Sequence, residues 1–151
     1  MTDIDPSVLI SIGIIFFLLA LSAFFSGSET ALTATSKARM HKLESDGNAN
    51  ARRVNLLIKD RERLIGAILL GNNLVNILAS VIAASVFTTL FGASLFATGL
   101  ATATMTALVL VFAEVSPKTA AIARPDAFAM LVAPLMRWVV VIFAPITWLI
   151  Q

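Results

Sequence analysis

The sequence FFSGSETALTA, residues 24–34, ends a long uncharged segment with a cluster of small residues and a carboxylate. No ionisable side chain occurs between Pro6 and Glu29, and about 20 apolar residues suffice for a helix to cross the hydrocarbon layer. Glu29 is therefore predicted at one end of a transmembrane helix. Because serine and glycine are unfavourable inside helices, we expect residues 26–28 to interrupt the helix and to free oxygen ligands for a hard cation.

Composition indicates an integral membrane protein. Of the 151 residues, 58% are hydrophobic and 13% are charged, against about 25% charged residues in ordinary soluble domains. No cysteine is present, which excludes disulfides and thiolate metal sites. The single histidine, His41, lies among basic residues, so a histidine-based metal centre is not expected. Any metal site must be built from oxygen ligands.

The distribution of positive charge predicts the topology. Eight of the 11 Lys and Arg residues lie between two apolar segments: Lys37, Arg39, Lys42, Arg52, Arg53, Lys59, Arg61 and Arg63. Cytoplasmic loops carry the excess of Lys and Arg, so this segment is predicted inside and the acidic N-terminus outside. A cleaved signal peptide is the alternative for residues 1–30, but it lacks a basic start and the apolar segment is too long. We expect a multi-pass protein of the cell (inner) membrane with a cytoplasmic C-terminus.

The predicted fold class is all-α, with three transmembrane helices and juxtamembrane helices. The expected spans are residues 8–30, 64–90 and 95–116, with a turn at 90–94 and cytoplasmic juxtamembrane helices at 36–60 and 127–150. The last segment is apolar enough to cross, but Pro134, Arg137 and Pro145 disfavour a regular span. We therefore expect a bent helix at the inner interface, with a fourth span as the alternative. The basic segment is expected on the membrane surface, not on nucleic acid.

Polar side chains from all three predicted spans lie in the inner half of the membrane. Two carboxylates with several amides and hydroxyls at similar depth indicate an ion or substrate pathway. The alternatives are packing of small residues, hydrogen bonding between helices, pairing of Glu114 with Lys118, and extension of the Glu29 side chain to water at the end of its span. Gly71 and Pro117 are further positions where a helix is expected to bend. The predicted metal ligands are Ser26, Gly27, Ser28, Glu29, Asn72, Asn73, Asn76, Glu114, Ser116 and Pro117. Oxygen ligands suit Mg²⁺ or Ca²⁺, and these residues alone do not choose between them.

Three motifs resemble the transmembrane domain of the CorC/CNNM family of magnesium transporters. They are SGSETAL at 26–32, GNNLVNI at 71–77 and AEVSPKTAA at 113–121. The resemblance implies a homodimer, a cytoplasmic belt of juxtamembrane helices, and Mg²⁺ efflux coupled to Na⁺ entry. It also implies a downstream ATP-binding CBS-pair domain, which lies outside this sequence. It maps the ion site to Ser26 and its neighbours, the asparagines of the second motif, and Glu114 with the adjacent backbone.

The predicted function is secondary transport of Mg²⁺ out of the cell, with Na⁺ as the coupling ion. The alternative is a membrane scaffold that senses Mg²⁺ and signals to cytoplasmic domains without moving ions. Enzymatic activity is not expected, because no suitable pair of nucleophile and base is present within the membrane segments.

Overall fold

The computed structural model describes residues 5–150, and among them it contains helices and short connections but no strand. In chain order the elements are α1 (Pro6–Ala34), α2 (Lys37–Ser45), α3 (Ala49–Lys59), α4 (Arg61–Phe91), α5 (Leu95–Leu108), a π-helical segment (Val109–Val115), α6 (Ser116–Ala123) and α7 (Pro125–Ile150). The π-helical segment joins α5 to α6 without a break in the helical path. The all-helical fold class is confirmed.

Polar residues and glycines set the helix ends. The Asp5 side chain accepts a hydrogen bond from the Ser7 amide, and Asn48 accepts from two amides in the first turn of α3. Such capping satisfies amides that have no partner inside the helix. Gly47 and Gly92 have φ angles of 91° and 79°, a conformation that glycine adopts most easily. They form the turns between α2 and α3 and between α4 and α5.

Four helices are long and apolar enough to cross a membrane by length and composition. They are Pro6–Ala34, Arg61–Phe91, Leu95–Ala123 and Pro125–Leu149. Multi-pass membrane character is therefore supported, whereas the count of three spans is not confirmed by these two criteria. The fourth helix includes both Pro134 and Pro145 and continues through them.

Helix α1 lies at the centre of the fold, in contact with α4, α6, α7 and the π-helical segment. The expected interruption of α1 at residues 26–28 is wrong, because the helix is continuous from Pro6 to Ala34. Gly27 instead permits close packing. A Cβ atom added there would lie 2.9 Å from Cζ of Phe128 and 3.5 Å from Cβ of Pro117.

The expected bend of α4 at Gly71 is also wrong, since α4 is continuous from Arg61 to Phe91. A Cβ atom added to Gly71 would lie 2.5 Å from the ring of Phe25. Gly71 is thus the position at which the Phe25 ring packs directly on the backbone of α4, and it sets the separation between α1 and α4.

Helix α7 contacts the rest of the chain near both of its ends. Near its start, Asp126 accepts hydrogen bonds from the Thr35 hydroxyl (2.7 Å) and the Ser36 amide (2.9 Å), just beyond α1. Near its end, Cγ2 of Thr147 lies 3.2 Å from a Cβ atom added to Gly66, in the second turn of α4. Between these points α7 packs against α3. The two ends of α7 therefore lie near the end of α1 and the start of α4.

Candidate functional site

Three serines of α1 are buried where the helix meets α4, α6 and the π-helical segment. Ser22, Ser26 and Ser28 have exposures of 0%, 1% and 0%. The hydroxyl oxygens of Ser26 and Ser28 have no hydrogen-bond partner among the residues that the structure describes. An unsatisfied buried polar group costs about 1–3 kcal/mol. Two such groups within one turn of α1 are therefore candidates for contact with a ligand.

Ser22 was not predicted as a site residue, but it makes the direct link between α1 and the asparagines of α4. Its hydroxyl donates a hydrogen bond of 2.7 Å to Oδ1 of Asn72. The sequence contained a signal for it, because Ser22 precedes Ser26 by four residues and therefore lies on the same face of a helix.

The three asparagines of α4 have different surroundings. Asn72 is half-buried and accepts from Ser22. Asn76, one turn further, has a buried Oδ1 with no partner in the described chain. Asn73 is exposed on another side of α4. The structure therefore directs Asn72 and Asn76 towards the interior and does not place Asn73 with them.

Glu114 lies in the π-helical segment Val109–Val115. The amide of Ser116 donates to the carbonyl of Val111, five residues earlier, as in a π-helix. Pro117 has no amide hydrogen, so one carbonyl in the preceding turn lacks a helical donor. Pro117 is half-buried beside Gly27, whereas Ser116 is exposed. The third motif thus supplies a carboxylate and a carbonyl without a helical donor, through a π turn that the residue pattern did not predict.

A cavity of about 330 Å³ lies between α4 and the α5–π segment. Asn76 and Glu114 both line it, together with the hydroxyl-bearing residues Ser80, Thr102 and Thr106. The structure therefore brings together one predicted amide and one predicted carboxylate. We call this space the α4–α5 cavity.

Glu29 lies elsewhere. It lines a small separate cavity of about 20 Å³ with Lys37 and Arg61, a volume close to that of one water molecule. The two predicted carboxylates, Glu29 and Glu114, thus line different cavities. Within residues 5–150 no group of three or more His, Asp or Glu side chains is placed to hold a metal ion.

Comparison with known proteins gives one family. The profile described as "CNNM: Cyclin M transmembrane N-terminal domain" matches residues 13–151. UPF0053 inner membrane protein YfjD of Escherichia coli K12 is 40% identical over 135 residues, which cover 87% of this chain and 30% of that protein. A UPF0053 protein of Haemophilus influenzae is 36% identical over 138 residues, covering 91% of this chain and 32% of that protein.

A third relative has a functional name. The polyamine export protein of Salmonella typhimurium is 32% identical over 150 residues, which cover 92% of this chain and 34% of that protein. The chain spans about a third of the length of each of these relatives, as their covered shares of 30%, 32% and 34% show.

Proposed function

The chain belongs to the family of cyclin M transmembrane N-terminal domains, and from this premise we propose that it transports Mg²⁺ through an oxygen-lined intramembrane site. The observation that carries the proposal is the set of buried oxygen atoms without partners: Oγ of Ser26, Oγ of Ser28 and Oδ1 of Asn76. Within a membrane no solvent satisfies such atoms. A transported cation would do so while it is bound.

The donor set suits an alkaline-earth cation that keeps part of its water shell. Mg²⁺ dehydrates reluctantly and usually retains several waters beside one or two carboxylates. Glu114 supplies one carboxylate, Asn76 an amide oxygen, and the α4–α5 cavity of about 330 Å³ leaves room for water. The serines of α1 and the carbonyl released by Pro117 would provide further oxygens on the side of α1. Gly27, Asn72 and Ser116 would act by positioning these groups.

Glu29 has a different proposed role. It lies beside Lys37 and Arg61 at the end of α1 where basic residues concentrate. A carboxylate between two cations is partly neutralised by them, so it is a weaker ligand than an isolated carboxylate. We therefore assign Glu29 to charge balance at the cytoplasmic end of α1, beside Lys37 and Arg61, and not to the coordination of the transported cation.

The topology proposed for the chain has three spans, with α2, α3 and α7 at the inner surface. Helix α7 has 26 residues and is therefore about 39 Å long, so a crossing α7 would carry its end far from the start of α4. Thr147 instead contacts Gly66 in the second turn of α4, which supports an α7 that lies along the inner interface. The N-terminus is then outside and the basic α2–α3 segment is cytoplasmic.

Two further parts of the proposal rest on the family resemblance. Outward Mg²⁺ movement would be driven by Na⁺ entry, and two copies would form a homodimer. Asn73 supports the second part, because its amide is exposed in the middle of an apolar helix. A polar side chain facing lipid is unfavourable, whereas a second copy would offer it a hydrogen-bond partner. The downstream CBS-pair domain would then bind ATP on the cytoplasmic side.

Export of polyamines is a second candidate function, favoured by the name of the Salmonella relative, polyamine export protein. A polyamine carries several ammonium groups joined by methylene chains, and carboxylate, amide and hydroxyl oxygens accept hydrogen bonds from ammonium groups. The α4–α5 cavity offers such oxygens at Asn76, Thr102 and Glu114 beside the apolar Met105 and Leu110.

Flux measurements on the purified protein in liposomes test these proposals. We expect saturable Mg²⁺ flux, and a decrease of about tenfold or more in Glu114→Gln, since an interaction with a charged group contributes about 1.5–3 kcal/mol. Ser11→Ala is the control variant with unchanged flux expected, because the Ser11 hydroxyl lies on α1 outside the proposed site and donates to the Ser7 carbonyl at 2.8 Å.

The outcomes separate the candidates. Mg²⁺ binding without flux in a correctly folded protein would support the sensor and refute the transporter. Flux of labelled putrescine that Mg²⁺ does not inhibit would favour polyamine export. Equal Mg²⁺ flux in wild type and Glu114→Gln would remove Glu114 from the site.

A further inference from the structure

Two arginines from different helices line one open cavity beside the juxtamembrane helices. Arg53 lies on α3 and Arg137 on α7, and together with Pro134, Trp138 and Val141 they line a cavity of about 380 Å³. The lining contains two guanidinium groups and no carboxylate. We call this space the arginine cavity, and its charge makes it suited to an anion.

Neither arginine is neutralised within the part of the chain that the structure describes. The ion pairs there are Arg39 with Asp126 and Arg63 with Asp60. Nη1 of Arg53 donates to Oδ1 of Asn50 at 2.6 Å, but a guanidinium has five N–H donors. Most donors of the two arginines are thus available. Arg137 is exposed on the otherwise apolar helix α7, so its guanidinium is accessible to an anion at the membrane surface.

The contacts of α7 place the arginine cavity at the inner membrane surface in the proposed topology. Helix α7 contacts the end of α1 through Asp126, the start of α4 through Thr147, and α3 between them. Arg137 is therefore held beside the basic α2–α3 segment. Trp138, next to it, is 71% exposed, and tryptophan is enriched at the boundary between hydrocarbon and headgroups.

We propose that the arginine cavity binds the phosphate group of an anionic phospholipid from the inner leaflet. Arginine recognises phosphate through pairs of parallel hydrogen bonds, and two arginines on separate helices approach it from two directions. The neighbouring apolar residues of α7 that are exposed, including Leu135, Val141 and Ile142, would contact the acyl chains. This continuity of the cavity with an exposed apolar surface favours a lipid over free phosphate. A bound lipid would join α3 to α7.

Native mass spectrometry of the purified protein with added phospholipids tests the proposal. We expect phosphatidylglycerol to bind more tightly than phosphatidylcholine. Arg53→Gln and Arg137→Gln should each lower the affinity for phosphatidylglycerol about fivefold, since a basic residue near the surface contributes about 1 kcal/mol. The double variant should lower this affinity roughly 25-fold. Arg52→Gln is the matched control, because it removes the same charge from the same helix and Arg52 is exposed outside the cavity.

The outcomes decide between specific binding and general attraction. An equal loss of phosphatidylglycerol affinity in Arg52→Gln would show that the positive charge of the juxtamembrane helices attracts the lipid without a specific site, and would overturn the proposal. Displacement of the lipid by inorganic phosphate at equal concentration would overturn the assignment to a lipid. Arg137→Lys is a conservative variant that separates loss of lipid recognition from misfolding, since it keeps the charge and removes the paired hydrogen bonds. We expect intermediate affinity in this variant, and binding unchanged from wild type would contradict recognition by the guanidinium. The absence of any headgroup preference in wild type would also refute the proposal.

Discussion

Gly71→Ala is the most direct test of the contact between α1 and α4. The added methyl carbon would lie 2.5 Å, 2.7 Å and 3.0 Å from three ring carbons of Phe25, whereas carbon atoms in contact are normally about 3.5–4.0 Å apart. The ring or the helix must therefore move by about 1 Å. Phe25 is 6% exposed and makes an edge-on contact with Phe24 at 5.7 Å between ring centroids, so the ring has little free space.

The expected magnitude combines two opposing terms. Overpacking of a core costs about 1–3 kcal/mol, while replacing glycine by alanine inside a helix gains about 0.5–1 kcal/mol. The midpoints of these two ranges give a net loss of about 1 kcal/mol, which should lower the melting temperature in detergent by roughly 2–4 °C for a chain of this size. The displaced α4 should also lengthen the hydrogen bond from Ser22 to Asn72, so Mg²⁺ flux should decrease as well.

Two glycines serve as matched controls. Gly13 on α1 and Gly99 on α5 have no heavy atom within 4 Å of an added Cβ atom, so Gly13→Ala and Gly99→Ala should raise the melting temperature by about 1–4 °C. The double variant Gly71→Ala with Phe25→Leu should recover part of the loss. A melting temperature of Gly71→Ala equal to that of Gly99→Ala would refute the tight contact between α1 and α4.

Two other substitutions test single contacts. Ser22→Ala leaves Oδ1 of Asn72 without its donor, so we expect a loss of about 1–3 kcal/mol in stability and weaker Mg²⁺ binding by isothermal titration; unchanged values in both would mean that Ser22 only fills space. Asp126→Ala removes the acceptor for the Thr35 hydroxyl and the Ser36 amide, and should cost about 1–3 kcal/mol. It should also increase protease cleavage between α6 and α7, and cleavage at the wild-type rate would contradict a structural role for this link.

The long apolar helices were predictable because they depend on local rules. An uncharged segment of sufficient length predicts a membrane helix whatever its neighbours, and the turn at Gly92 follows from the conformational freedom of glycine. Asn72 and Asn76 were expected on one face from their spacing alone. These predictions required no knowledge of which helices touch.

The predictions that failed depend on contacts between helices. Gly27 and Gly71 were interpreted as positions where helices bend, but a glycine that bends a helix and a glycine that accepts a neighbouring ring have the same local sequence. The Phe128 ring packs on Gly27 and the Phe25 ring packs on Gly71, and in both cases the ring belongs to a different helix from the glycine. The role of Ser22 was missed for the same reason, since only the partner Asn72 distinguishes it from a packing residue.

The π-helical segment explains why Glu114 reaches the α4–α5 cavity. The residues Thr102, Thr106, Leu110 and Glu114 recur at every fourth position and all line that cavity. In a regular α-helix, four residues advance the side chain by about 400°, so such a series drifts by about 40° at each step. A π turn contains more residues and therefore advances fewer degrees for each of them. From Val109 to Val115 this smaller advance opposes the drift and keeps Glu114 on the cavity side. A regular α-helix of the same sequence would turn the carboxylate away from Asn76, the only amide that lines the α4–α5 cavity among the described residues.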